Sequence, residues 1–329
     1  MIRAGLIALL LSGNLAMAQG ATEVPELRLQ AEYPIEGMRG GNLSGLALCA
    51  GQLWAVSDRD DDQVYRLEGS GPVWHGQALV FKAPAAPDMG LPLSLSVPAT
   101  AASLVRGGSL DFEGIACDGQ QQLYLVSEAK ASVLRVSPNG AAQWLPLPAT
   151  LVAEARQQGL LHRLNALFEG LALDPEAHHL WLAAEREQRG LVYARLGPDG
   201  WACGQPCVLL SEGGGEQVPA DMRTGSNYVK DFADLAYFKG KLFTLERNGY
   251  RVCRRDARTA QVERCWSFAQ AALQPERRYD QPYGLTEALA LDETGAWIGT
   301  DNNGGARADG EQRPVVWRFA APAGGWEAP

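Results

Sequence analysis

The pentapeptide Phe112-Glu113-Gly114-Ile115-Ala116 returns as Phe168-Glu169-Gly170-Leu171-Ala172, and looser copies begin at Leu43, Phe232 and Leu285. The five copies lie between 53 and 69 residues apart. Each is followed by a second apolar run that closes on an acid: Asp58, Glu128, Glu185, Glu246 and Asp301. A solenoid keeps a tighter period than this, whereas a propeller absorbs the variation in its loops.

Within each unit the two runs are joined by a turn such as Ala50-Gly51, Asp118-Gly119 or Asp174-Pro175, and a third run follows, for example Val64–Leu67 or Val133–Val136. A fourth is visible in places, as at Ala78–Lys82. Short antiparallel strands with turn residues between them make a propeller blade. The fold expected is therefore an all-β propeller of five four-stranded blades. Six remain open if residues 82–110 or 268–284 hide a degenerate unit. The lone strand Leu27–Ile35 completes the last unit and closes the ring. Residues 150–164, with leucine and alanine at helical spacing, predict one short inserted helix with Thr150 as N-cap.

Residues 1–18 read as a secretory signal, with Arg3, the apolar run Leu6–Leu11 and cleavage after Ala18; residues 19–329 then form one propeller domain. The apolar run is too short to span a bilayer. A periplasmic or secreted protein is expected, without membrane insertion. Six cysteines suit an oxidising compartment. Cys253 with Cys265 would clip a hairpin, Cys203 with Cys207 a tight loop, and Cys49 with Cys117 two neighbouring units. A zinc site is disfavoured, because no C-x-x-C pair occurs. The net charge of -9 speaks against nucleic acid as a partner.

The first runs carry Ser44, Glu113, Glu169, Asp234 and Glu287, and the second runs the five acids above. In a hairpin these two sets lie side by side at the end opposite the turn, so the innermost strands bring them to one mouth of the channel. Like charges crowded into a funnel oppose one another's ionisation, and burial adds to the cost. Bound cations, interleaved basic groups or protonation would relieve it. Carboxylates suit a hard divalent cation, calcium first, with Asn302 and Asn303 as further oxygen donors. Arg59, Arg186 and Arg247 follow second-run acids directly, and Lys130 lies two past Glu128. Alternatively, the acids cap backbone amides and the arginines make salt bridges between blades. No G-x-S-x-G elbow is present. His162, on the inserted segment, is the histidine expected closest to the mouth, while His178 and His179 fall on the far face and His75 has no evident partner.

The layout Ser44 to Asp58, Asp111 to Glu128, Arg163 to Arg186, Leu245 to Arg247 and Thr300 to Asn303 resembles the phytase-like β-propeller family, described by esterase-like activity of phytase. The fourth and fifth units depart from Glu-Gly, with Ala233-Asp234 and Glu287-Ala288. The resemblance implies an exported propeller that hydrolyses phosphate or carboxylate esters and depends on calcium or another divalent cation. On this reading Glu113, Glu169, Asp234, Glu287, Asp58 and Asp301 hold the metal, and Glu113, Glu169, Glu185, Arg186 and Arg247 carry catalysis. The partner is a small anionic or ester substrate, and the protein is a monomer. The alternatives are a non-catalytic ligand-binding or scaffolding propeller of the cell envelope, and, by fold analogy alone, a lactone hydrolase.

Overall fold

The computed structural model describes residues 24–39, 41–95, 108–216, 228–279 and 285–328, so the signal segment lies outside the described residues. Strand β1 (Leu29–Glu36) precedes the first blade, which comprises β2 (Gly45–Cys49), β3 (Gln52–Val56), β4 (Gln63–Glu68) and β5 (Trp74–Val80). The second holds β6 (Phe112–Cys117), β7 (Leu123–Ser127), β8 (Ser132–Val136) and β9 (Ala142–Trp144). The third is β10 (Phe168–Leu173), β11 (His179–Ala184), β12 (Gln188–Gly197) and β13 (Gly200–Gly213). The fourth is β14 (Asp234–Phe238), β15 (Lys241–Glu246), β16 (Arg251–Asp256) and β17 (Val262–Ser267). The fifth is β18 (Thr286–Asp292), β19 (Gly295–Thr300) and β20 (Val315–Ala320), with β1 antiparallel to β20 as its outer strand. Residues 83–95 and 268–279 contain no named strand, and the described residues form five blades; residues 96–107 and 280–284, also in the two stretches that leave a sixth unit open, lie outside them. β1 also meets β5 in parallel, through Ile35 opposite Trp74 and Glu36 opposite His75, joining the last blade to the first. His75 also lies 3.8 Å from Glu36.

The turns follow from their acids. Asp118 accepts the amides of Gln120 and Gln122, Asp174 those of His178 and His179, and Asp292 those of Thr294 and Gly295. Such side-chain-to-backbone bonds mimic a backbone turn and end the strand. Phe112, Phe168 and Phe232, and Leu43 and Leu285 at the matching points, are all buried. The repeated motif therefore opens with an anchor in the core between blades, where loss of an aromatic ring costs about 3–5 kcal/mol.

The glycine of the first three copies of the motif has a steric cause. β2, β6, β10, β14 and β18 neighbour one another in sequence order and close into a ring. A Cβ on Gly45 would lie 2.8 Å from the Gly114 Cα, one on Gly114 2.5 Å from the Glu169 carbonyl oxygen, and one on Gly170 2.6 Å from the Leu235 nitrogen. These neighbours are backbone and cannot turn aside.

The inserted helix α1 spans Thr150–Gln157 and is shorter than the expected segment. Its N-cap is Ala149, with no side-chain cap bond, so Thr150 is the first helical residue instead of the cap. It buries Leu151, Val152 and Ala155 against the third blade, a packing role. A one-turn helix α2 (Ala269–Ala272) follows the fourth blade.

Three disulfides join Cys49 to Cys117, Cys203 to Cys207 and Cys253 to Cys265, the pairs that the spacing favours. They point to an extracellular or periplasmic protein. No helix among the described residues is long and apolar enough to cross a membrane.

Replacing Gly170 by alanine should overpack the inner ring and lower unfolding stability by about 1–3 kcal/mol in a denaturant titration. The same change at Gly51, whose Cβ meets nothing within 4 Å, removes no such space and acts only through its positive φ.

Candidate functional site

Register decides where the anchor acids point. In β6 the pairing steps from Phe112 opposite Ser127 to Gly114 opposite Val126, leaving Glu113 as the extra residue of a bulge. Glu169 in β10 and Glu287 in β18 stand in the same position. A bulge re-aims the side chain of its extra residue. β14 has no such shift, with Asp234 opposite Leu245 and Leu235 opposite Thr244. Asp234 accordingly takes the place that glycine holds in the first three units. Its carboxylate accepts the amides of Leu235 at 2.8 Å and Leu289 at 2.7 Å, and that of Leu46 as well. Burial pushes its pKa well up, and these three amides pull against that shift. Asp234 thus ties the fourth blade to the fifth and first.

The second-run acids lie beside the first. The Glu128 amide donates to the Asp111 carbonyl, Glu185 to Leu167, Asp301 to Leu285, and the Asp58 amide to the Ser44 hydroxyl. The charges then divide. Arg247, buried, donates from Nε to Asp231 at 2.9 Å, from Nη2 to Glu185 at 2.5 Å and from Nη1 to Glu287. Its three nitrogens are thus engaged by acids from three parts of the chain. Arg186, about one-third exposed, reaches the same Glu185 oxygen at 2.6 Å, while the second Glu185 oxygen is buried without a hydrogen-bond partner. Glu246 turns away, into contact with Arg189 at 3.1 Å, Arg251 at 2.6 Å and Arg255 at 2.7 Å. Despite its burial, those arginines hold its pKa down at about 2.

The other half of the mouth is acidic. Among the described residues the carboxylates of Glu113 and Glu169 have no hydrogen bond or ion pair. Burial first, then neighbouring acids, drive both pKa values well above the ordinary range: Asp111, Asp58 and Glu128 act on Glu113, and Glu185, Glu113 and Glu128 on Glu169. Glu128 gives one oxygen to the Leu167 amide at 2.9 Å and is raised to about 8 by burial and by Asp111. Burial raises Glu287 to about 7 and Asp301 to about 6. Carboxylate oxygens of Asp58, Asp111 and Glu113 lie within 4.8 Å of one another, a group of hard donors able to hold a metal ion. Asp58 also accepts Asn42 at 2.9 Å and pairs with Arg59 at 3.4 Å.

Residues 39–201 match the family model described as phytase-like, esterase-like activity of phytase. Over that span the chain is similar to the phytase-like family. No curated protein matches. Among solved structures, glutaminyl cyclase from Myxococcus xanthus is 14% identical, covering 89% of this chain and 97% of its own at a TM-score of 0.48. Virginiamycin B lyase from Staphylococcus aureus is 9% identical over 90% of this chain and 100% of its own, with a TM-score of 0.42. A gluconolactonase from Xanthomonas campestris is 12% identical over 84% and 71%, with a TM-score of 0.40.

Asp111 and Asp231 were not among the site residues expected from the repeat. Asp111 precedes the phytase-like Phe-Glu-Gly and sits at φ 55°, a left-handed conformation in which aspartate is tolerated better than most residues. Asp61 fixes the incoming chain by accepting the Ser109 amide and hydroxyl and the Leu110 amide at 2.6–2.7 Å. Asp231 lies three residues before the fourth-unit anchor, where the motif gives no signal. Asn302 donates to the carbonyls of Gly305 and Gln312, and the amide of Asn303 donates to Asp301. His162 is exposed and bonded to the Arg156 carbonyl. His178 is exposed, whereas His179 bonds the Tyr193 hydroxyl at 2.6 Å and stacks with Trp181 and Tyr193.

The raised carboxyls set the sign of the pH response. The folded chain holds protons that the unfolded chain has released once pH exceeds about 4.5, so stability falls as pH rises from there through about 8. In chelator, melting temperature should decline from pH 5 to pH 8, and millimolar calcium should flatten the decline. Glu169→Gln should raise the melting temperature at pH 8 in chelator, by roughly 2–4 °C per kcal/mol recovered. Asp234→Ala should instead lower stability by about 3 kcal/mol or more, calcium or not, since it leaves three buried amides without an acceptor.

Proposed function

We propose that the protein is an exported, monomeric β-propeller hydrolase of small phosphate or carboxylate esters, working at the acidic mouth with a divalent cation. Its export signal would be residues 1–18, cleaved after Ala18, and neither nucleic acid nor a membrane would be its partner. The observation that carries this reading is the uneven neutralisation of the mouth. Arg247 neutralises the side of Glu185, Asp231 and Glu287, whereas Glu113, half-buried, and Glu169, buried, lie among other acids with no basic partner among the described residues.

Asp58, Asp111 and Glu113 would hold the ion, with Glu169 beside them; calcium is the first choice for an all-oxygen set. When bound, such an ion polarises an ester or phosphoryl oxygen and eases formation of hydroxide from water. The chain supplies the rest. Arg186, anchored to Glu185 by one nitrogen and partly exposed, orients the anionic group of the substrate. Glu169, its pKa raised by burial and neighbouring acids, is the group that holds or accepts a proton. Arg247 and Asp234 keep the shape of the mouth. The full engagement of Arg247 by acids equally suits a mouth that only binds a ligand, which is the second reading.

The test is elemental analysis of the purified protein with turnover of 4-nitrophenyl phosphate and 4-nitrophenyl acetate, in calcium and in chelator. Calcium-dependent turnover is expected. Glu113→Gln and Asp58→Asn should each lower kcat/KM at least tenfold and weaken calcium binding by calorimetry. Absence of both metal and turnover would leave the binding protein.

A further inference from the structure

Residues 58–62, Asp-Arg-Asp-Asp-Asp, put four acids into the loop after β3, and each has a separate destination. Asp58 goes to the mouth, beside Asp111 and Glu113. Asp60, buried, accepts the Arg39 Nε at 2.8 Å and the Tyr65 hydroxyl, which pins the loop to β4. Asp62, about half exposed, pairs with the same Arg39 at 2.5 Å. Asp61 reaches across to the chain entering the second blade. There it accepts the Ser109 amide at 2.6 Å, and the Ser109 hydroxyl and Leu110 amide at 2.7 Å each.

Those bonds land one and two residues before Asp111. Asp111 stands at φ 55°, a strained conformation for an L-residue that persists only where the surroundings enforce it. Here they do. The Leu110 amide is held by Asp61, the Leu110 carbonyl accepts the Ser127 hydroxyl, and the Asp111 carbonyl accepts the Glu128 amide at 2.8 Å. Just before Ser109, Gly108 lies against the backbone of the other ligand. A Cβ there would stand 2.3 Å from the Asp58 carbonyl oxygen, and its φ of +77° is one that glycine adopts freely. Two segments from different blades are thus held at a fixed separation, one bearing Asp58 and the other Asp111 and Glu113.

We infer that Asp61 is a positioning residue for the cation at the mouth: it touches no ion, but it fixes the distance between Asp58 and Asp111 and so sets how tightly their oxygens grip one. The inference rests on the metal reading of Asp58, Asp111 and Glu113. Oxygen donors bind an ion well only when they are held at its own bond length, and the residues that orient the ligands carry much of the affinity. Both oxygens of Asp61 are engaged by N–H and O–H donors. An amide in its place would turn an NH2 group toward a donor and release one side of the clamp.

The test is calorimetry of calcium binding to the intact protein after chelator treatment, with far-UV circular dichroism confirming the fold of each variant. Asp61→Asn should weaken binding about 10- to 100-fold, as loss of a ligand-orienting partner does. Asp62→Asn removes the same charge one residue away, where the partner is Arg39, and should weaken binding less than about threefold because exposed charges are screened. Gly108→Ala changes no charge but forces Asp58 away from the incoming chain, and should also weaken binding. A purely structural role for Asp61 would lower the melting temperature equally with and without calcium, whereas a positioning role shrinks the rise that calcium produces. Equal losses of affinity in Asp61→Asn and Asp62→Asn overturn the inference, as does unchanged affinity in folded Asp61→Asn. Where Asp61→Asn does not fold, unchanged affinity in folded Gly108→Ala overturns it. A wild type that binds no calcium removes the metal reading and the inference with it; wild-type binding that the variants leave intact removes the inference alone.

Discussion

The close approach of five inner strands governs everything at the mouth. Gly45, Gly114 and Gly170 let each strand press its backbone onto the next, and no side chain can fill the space between them. Where the fourth unit puts Asp234 at this position, the carboxylate takes up amides that this convergence brings within reach. The same convergence forces the bulged glutamates of three blades into a common volume. Packing therefore creates the electrostatic problem, and the problem is an obligatory consequence of the repeat.

The answer to that problem is asymmetric. A single buried arginine, Arg247, settles one side, and burial makes each of its ion pairs far more costly to break than a surface pair. Among the described residues, the opposite side has acids and no comparable buried cation. Protonation and a bound metal ion are competing remedies there, and they belong to different conditions: acid for the first, neutral pH with calcium for the second. A catalytic reading and a stability reading of the same residues are thus linked through one set of protons.

Much of this was legible in the repeat. The period gave the blades, and the lone N-terminal strand gave the closure. The paired anchors gave the mouth, because hairpin geometry fixes which ends meet. What the repeat could not show was side-chain direction. Glu246 and Arg247 are neighbours with opposite destinations, because Glu246 closes its strand and Arg247 opens the turn that follows it. The displacement of Asp234 by one position was visible in Ala233-Asp234, yet its three amide partners depend on strands from other blades. Asp111 and Asp231 sit outside the repeated positions, so only the folded chain reveals them.

The pairing of β1 with both β20 and β5 has a consequence for how the molecule is made. The first strand of the described residues needs a partner from the last. Four blades are complete within local stretches of sequence and can form early, but the ring stays open until the two ends of the chain find one another. Closing so long a loop is entropically expensive and slow. The rate-limiting event in folding should be this final joining of the termini, and a chain arrested before its last strand would expose two unpaired blade edges at once.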